Sequence, residues 1–278
     1  MLKNQALILK QKDDIFISNL YNGRKGSDSV SKAYEQICKL GEVLKKDPNV
    51  LCLLGLGSMS ETTRADSYSD MDFFLVVESG YKQAYIDTLD WLSIEPMVFV
   101  FKNTKDGYKV LFKSGVFAEF AVFEKEELPS IPFTEGKVVY RKIDFDLSWI
   151  IPNHVPKPHY RSNEYLVNEA LTNLYIGLKR DLRGEKASAF SFIQVYAAGL
   201  VIELLPRVFE EHKALLDPFV FERRIELRVK EANALLSTMK QGYDQNKASA
   251  KAILSFLRTY FEVNDALSME IISMIESA

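Results

Sequence analysis

Gly57, Ser58, Asp70, Asp72 and Glu119 are the residues of this 278-residue chain whose types and spacing could do chemistry. In GLGSMSETTRADSYSDMDFFLVV, Gly55 to Val77, two aspartates stand one residue apart at the lip of an apolar run. Carboxylates that close repel, and the residues that follow predict a buried strand, where unpaired charge is costly. Residues two apart in a strand share a face, so Asp70 and Asp72 would stand side by side. Such a pair can ligate Mg²⁺, whose shell is completed by waters and phosphate oxygens. The other reading is a solvated turn, DSYSD, with Asp66 and Asp70 as turn residues. Gly55, Gly57 and Ser58 close the preceding apolar run. A turn of that composition leaves N–H groups and a hydroxyl open to phosphate, although such turns also occur without a ligand.

Glu119 lies in GVFAEFAVFE, flanked by Phe117, Ala118, Phe120 and Ala121. Buried in mid-strand, it would need a cationic partner or a raised pKa; on an edge strand it would face water or pair with Lys or Arg. If its strand lies beside the one opening at Asp70, three carboxylates converge on one or two metal ions. That geometry serves phosphoryl-type transfer.

Positioning these residues requires particular elements. Val30, Ala33, Ile37, Leu40 and Leu44 recur at helical spacing and predict a helix over 28–46, with Asp28 and Ser29 as caps and Asp47-Pro48 beyond its end. NVLCLLGLG and DMDFFLVVE read as strands, and 81–92 as a helix. PMVFVFK, YKVLFKS and VFAEFAVFE are three more strands, the first two joined by a hairpin loop at NTKDG. The result is a mixed sheet with flanking helices. From about Ile150 the composition changes: the proline-rich IPNHVPKPHY reads as a linker, and helical patterns follow over 163–183, 186–205 (ending at Pro206), 218–240 and 246–276. The fold class expected is α+β: a mixed sheet domain, 1–150, followed by an all-helical bundle, 151–278.

Composition narrows the function classes. A hydrophobic content of 47% is that of a folded protein with a sizeable core, and a formal charge of −3 argues against wrapping nucleic acid. Cys38 and Cys52 sit in apolar contexts without partners at metal-ligand spacing, so both read as reduced core residues. His154, His159 and His212 are scattered and no zinc site is expected. The first residues do not read as a signal peptide, and no uninterrupted apolar span of membrane length is seen, so a cytoplasmic location with no membrane partner is expected.

Gly57-Ser58, eleven intervening residues, Asp70-Met71-Asp72 opening an apolar strand, and one carboxylate in a later strand together resemble the signature of the nucleotidyltransferase superfamily of the DNA polymerase β type. Within it, AEFAVF around Glu119 is similar to a late strand of the lincosamide nucleotidyltransferases. KRDLRGE, Lys179 to Glu185, is similar in spacing to a helical segment of the aminoglycoside 6-adenylyltransferases. The chain lacks the Arg-Gly that often follows Gly-Ser; Arg64 stands there either as a substitute or as a solvated loop residue.

The resemblance implies Mg²⁺ held by Asp70, Asp72 and Glu119, with Glu119 as third ligand or as the base for an acceptor hydroxyl. It implies nucleotide contacts from Gly57, Ser58, Ser69, Lys179 and Arg183. Lys179 and Arg183 share a helical face and could offset triphosphate charge, or be ordinary surface charges beside Asp181 and Glu185. The implied reaction moves a nucleoside monophosphate, AMP from ATP, to a hydroxyl of a small molecule such as a lincosamide or aminoglycoside and releases pyrophosphate. The helical half would shape the acceptor pocket, with Glu169, Asn173 and Tyr175 as candidates, and can carry homodimer contacts. Phe190, Phe192 and Tyr196 are read as bundle core. Two alternatives stay open: a toxin-type enzyme modifying a protein hydroxyl, and a non-catalytic nucleotide-binding protein.

Overall fold

Apolar side chains at helical spacing build α1, Lys32–Leu44, whose Ala33, Ile37, Leu40 and Leu44 are buried. Ser31 holds its N-cap position; the expected caps Asp28 and Ser29 lie outside the described residues, which in this computed structural model are 31–60, 65–156 and 161–277. Asp47 then turns the chain by accepting from the Asn49 N–H at 2.9 Å, and β1, Val50–Gly55, follows. All six of its residues are buried, the mark of a central strand covered on both faces.

The other strands are β2 (Met71–Val77), β3 (Met97–Lys102), β4 (Gly107–Phe112), β5 (Phe117–Glu124) and β6 (Lys137–Arg141). They form one sheet in the order β3-β4-β5-β2-β1-β6, antiparallel throughout except for the parallel β2–β5 pair. The mixed sheet with flanking helices is as expected. β6, the edge partner of β1, has no counterpart among the expected strands; its residues KVVYR carry too short and too charged a pattern to stand out. The expected helix over 81–92 is shorter, α2 at Lys82–Asp87, because Thr88 is extended and the chain resumes in a single 3₁₀ turn at Asp90–Leu92.

One sheet face packs on α1 and α2 through Leu53, Met71, Phe73, Leu75, Phe120 and Val122. The opposite face carries a smaller core of Leu54, Val76, Phe123, Phe133 and Phe145. Cys52 is fully buried in this second core, and burial pushes its thiol up to about 12. Both cysteines are free thiols.

The chain divides at His154–Val155 into two units. In the second, α3 (Asn163–Leu182) starts at Ser162, whose Oγ accepts from the Tyr165 N–H. α4 (Lys186–Val208) follows, then α5 (Ile225–Arg228), α6 (Ala232–Met239), α7 (Asn246–Tyr260) and α8 (Asp265–Glu276). Pro206 does not end α4; it lies in the last turn, where the hydrogen bond it removes is near the helix end. The expected helix over 218–240 is instead α5 and α6. Asp217 collects the N–H groups of Phe219 and Val220, and Arg224 is left-handed at φ 62°. The expected helix over 246–276 breaks before Asn264, which caps α8 by accepting from the Leu267 N–H at 2.9 Å.

α4 is long and apolar enough to cross a membrane, which the sequence reading did not expect. Its Ile193, Ala197, Val201, Leu204 and Leu205 are the core against which α3 and α7 pack.

Arg228 is fully buried, 0% exposed, with Nε 3.0 Å from Glu211 Oε1 and its guanidinium over the Phe221 ring. Removing one partner of a buried pair leaves an uncompensated charge costing about 3–5 kcal/mol. In urea titrations Arg228→Ala should lose about that much. Arg223→Ala, which removes an exposed guanidinium from Asp217 while Arg224 remains 3.7 Å from the same carboxylate, should stay within about 0.5 kcal/mol of the parent.

Candidate functional site

The parallel register sets Asp72 of β2 opposite Glu119 of β5. Alternation along each strand buries Met71 and Phe73, Ala118 and Phe120 against the helices, and turns Asp72 and Glu119 to the other face. Continuing across the sheet, Glu119 opposes Lys109 of β4. One row therefore reads Lys109, Glu119, Asp72 over three neighbouring strands.

Glu119 is not buried: its side chain is 45% exposed on an interior strand. Lys109 Nζ stands 3.3 Å from Oε2 and Asn103 Nδ2 donates to Oε1 at 2.9 Å. The expectation of a buried carboxylate does not hold, because period-two alternation gives this residue the open face although both sequence neighbours are apolar. The expected cationic partner is present. Sequence reasoning missed Lys109 and Asn103; the signal for Lys109 was the short turn after Phe112, which joins β4 to β5 in the antiparallel register that places Lys109 opposite Glu119.

β1 ends at Gly55, and the Leu56 N–H donates to the Asp72 carbonyl at 2.8 Å. The turn Gly57–Ser60 is pinned by buried Met59 and by the Ser60 hydroxyl, which donates to Gly57 O at 2.7 Å. Gly57 has φ 55°, and a Cβ there would lie 2.8 Å from Asp72 Oδ2. Only glycine fits both conditions, so the Asp72 carboxylate lies directly against the Gly57-Ser58 turn. Among the described residues, no group accepts from the N–H groups of Gly57 and Ser58 or from the Ser58 hydroxyl.

Asp70 precedes β2 and is exposed, with no side-chain hydrogen bond among the described residues. It is outside the strand, so strand alternation does not align it with Asp72. The Ser69 hydroxyl and N–H are engaged with Asp66, whose Oδ1 also accepts from the Tyr68 N–H. DSYSD is thus a turn closed by Asp66. Arg64 lies outside the described residues.

Lys179 and Arg183 stand on the exposed last turn of α3 and its cap. Lys179 Nζ is 4.2 Å above the Tyr175 ring, and Arg183 is 4.0 Å from Glu185. Both make the local surface interactions of ordinary helix charges.

Among the described residues, no three His, Cys, Asp or Glu side chains are gathered closely enough to hold a metal ion by themselves. The donor chemistry still suits Mg²⁺, which is commonly held by one or two carboxylates and completed by phosphate oxygens and waters. Asp72, beside Glu119 and against a turn with open N–H groups, is such a partial shell.

No protein-family model matches the chain, and no curated protein matches it. Several solved structures are similar to the chain at low identity. The aminoglycoside 6-adenyltransferase from Bacillus subtilis is 15% identical over 88% of this chain and 97% of its own, with a TM-score of 0.36. The Thermotoga maritima CCA-adding enzyme, in complex with tRNA, is 13% identical over 88% and 70%, at 0.33. A STING-associated c-di-GMP synthase from Capnocytophaga granulosa is 14% identical over 88% and 78%, at 0.26. At these TM-scores the likenesses carry no argument about activity.

The Gly57 geometry can be tested against Gly80, which has φ 86° and open space where a Cβ would be. Either change to Ala should cost about 1–2 kcal/mol for the left-handed backbone. Gly57→Ala alone should also displace Asp72, read as a fall in Mg²⁺ affinity by calorimetry with ATP present.

Proposed function

We propose that the chain is a nucleotidyltransferase of the DNA polymerase β type, which moves AMP from ATP to a hydroxyl of a small molecule and releases pyrophosphate. The observation that carries this reading is the Asp72 carboxylate packed against the Gly57-Ser58 turn and in register with Glu119.

The open N–H groups of Gly57 and Ser58, with the Ser58 hydroxyl, donate to the β- and γ-phosphates. Asp72, with Asp70 from the turn before β2, would hold the Mg²⁺ that accompanies the nucleotide. When bound there, the ion neutralises charge on the transferring phosphoryl group. Lys109 keeps Glu119 aimed along the open face beside Asp72. From that position Glu119 either completes the metal shell or takes the proton of the acceptor hydroxyl as its oxygen bonds to the α-phosphorus and the bond to pyrophosphate breaks. Ser69 contributes by fixing the DSYSD turn that carries Asp70. Lys179 and Arg183 are the nucleotide-binding candidates of the helical unit.

Pyrophosphate release from Mg²⁺ and ATP, measured across lincosamides, aminoglycosides and simpler amino alcohols, tests the reading. Asp72→Asn should lower turnover about 10²–10³-fold, the loss typical of removing one preorganised electrostatic group. Unchanged turnover would remove the metal site from the mechanism. Glu119→Gln separates its two roles: weaker Mg²⁺ binding marks a ligand, whereas a fall in kcat with metal affinity intact marks the base. AMP found by mass spectrometry on the chain itself or on a protein partner would favour the toxin-type reaction.

A further inference from the structure

Seven consecutive residues of α4, Ser191–Ala197, are π-helical. Such wide turns are rare, and they are found mostly at functional positions. Here the stretch keeps Ile193 and Ala197 in the core while Val195 and Tyr196 stand outward, Tyr196 at 52% exposure. The expectation that Tyr196 is bundle core is overturned by this change of helical phase. Gly177 of α3 makes room for the stretch, since a Cβ there would lie 2.6 Å from Ile193 Cγ1.

Val195 and Tyr196 form one wall of an open cleft of about 570 Å³ that lies entirely within the helical unit. This is the size of a small-molecule site. α3 contributes Tyr165, Glu169 and Asn173 to the opposite wall, and residues 219–222 add Phe219, Val220 and Glu222. The aromatic and aliphatic groups at the rim are exposed to solvent, an apolar lining that water alone does not favour.

The charges on the walls have one sign in excess. Among the described residues of the lining, Glu169, Glu203 and Glu222 are accompanied by one cation, Arg161, which is already bound to Glu203. Glu222 has Lys240 at 3.9 Å. Glu169 has no cation within ion-pair distance among the described residues; its carboxylate meets only Asn173 Nδ2 at 3.4 Å. Asn173 is 8% exposed, donates to Glu169 O at 2.7 Å, and its Oδ1 on the cleft wall accepts no hydrogen bond from a described residue. That oxygen and the exposed Glu169 carboxylate beside it stand open on the cleft wall, where both can accept from a ligand's donors. No three acids here are gathered to hold a metal ion, and phosphate would be repelled.

We infer that this cleft binds an organic cation: an ammonium group carried on an apolar ring or chain, with its charge at Glu169, an N–H or O–H on Asn173 Oδ1 and its apolar body on Tyr196 and Phe219. The aromatic faces favour the same charge. Identifying this cation with the acceptor of the transfer rests on the reading under Proposed function; binding itself does not.

Gly199 provides the test. It lines the cleft, and a Cβ there would meet nothing within 4 Å, so Gly199→Leu fills the space without a clash at Cβ and removes a helix-interior glycine. Saturation-transfer NMR titrations would use 4-phenylpiperidine and cyclohexylmethylamine as probes, with 4-phenyltetrahydropyran and cyclohexylmethanol as uncharged counterparts. Both amines should bind about tenfold more tightly than their counterparts, lose about tenfold in Glu169→Gln, and lose binding in Gly199→Leu while Tm does not fall. The inference is overturned if neither amine binds, if charged and uncharged probes bind alike, or if Gly199→Leu binds as the parent does. Mg²⁺-dependent ATP binding, measured on the same samples, keeps the two readings apart. Amine binding without ATP binding sinks the catalytic reading alone, and ATP binding without amine binding sinks the cleft alone.

Discussion

The parallel pairing of β2 with β5 is the constraint on which the sheet unit depends. Every other neighbour in the sheet is antiparallel. A parallel pair cannot be joined by a tight turn, so the chain must leave β2, pass through α2 and the β3–β4 hairpin, and return beside it. That detour buries Phe73 against Phe120 with rings 5.1 Å apart on the helix side. The same register that stacks the two rings sets Asp72 level with Glu119 on the other face. A slip of one residue would exchange the faces, exposing phenylalanines and burying carboxylates, so the core enforces the position of the acids.

Charge on the open face is balanced locally. Lys109 and Asn103 both reach Glu119, so a carboxylate flanked by Phe and Ala stands in the sheet without being enclosed by it. Gly57 plays the complementary part for Asp72: the space its missing side chain leaves is the space the carboxylate fills. Backbone, glycine and strand register therefore converge on one place, built from two strand ends and one turn.

The helical unit is organised differently. Its strongest internal constraint is the packing of α3 on α4 and α7, whose apolar residues close a core that also encloses Arg228 and its bond to Glu211. A regular α4 of this length would repeat one buried stripe from end to end. The π-helical stretch interrupts that repeat, and the interruption leaves Tyr196 and Gly199 on the cleft.

Much of the sheet unit was legible in the sequence. Strands that begin and end at glycine or aspartate, a helix with apolar residues at i, i+3 and i+4, and Asp72 at the mouth of an apolar run all follow from local periodicity, which the chain carries in its order of residues. The α+β class and the identities of Gly57, Ser58, Asp70, Asp72 and Glu119 as residues of interest were available at that level. Tertiary structure alone decided that β5 lies beside β2, that Glu119 is wet and held by Lys109, and that Ser69 serves a turn. It also decided where the late helices break and that Tyr196 leaves the core. Strand neighbours, helix phase and the face a residue shows are set by contacts between segments far apart in the chain, and residue order specifies those contacts only through the folded whole.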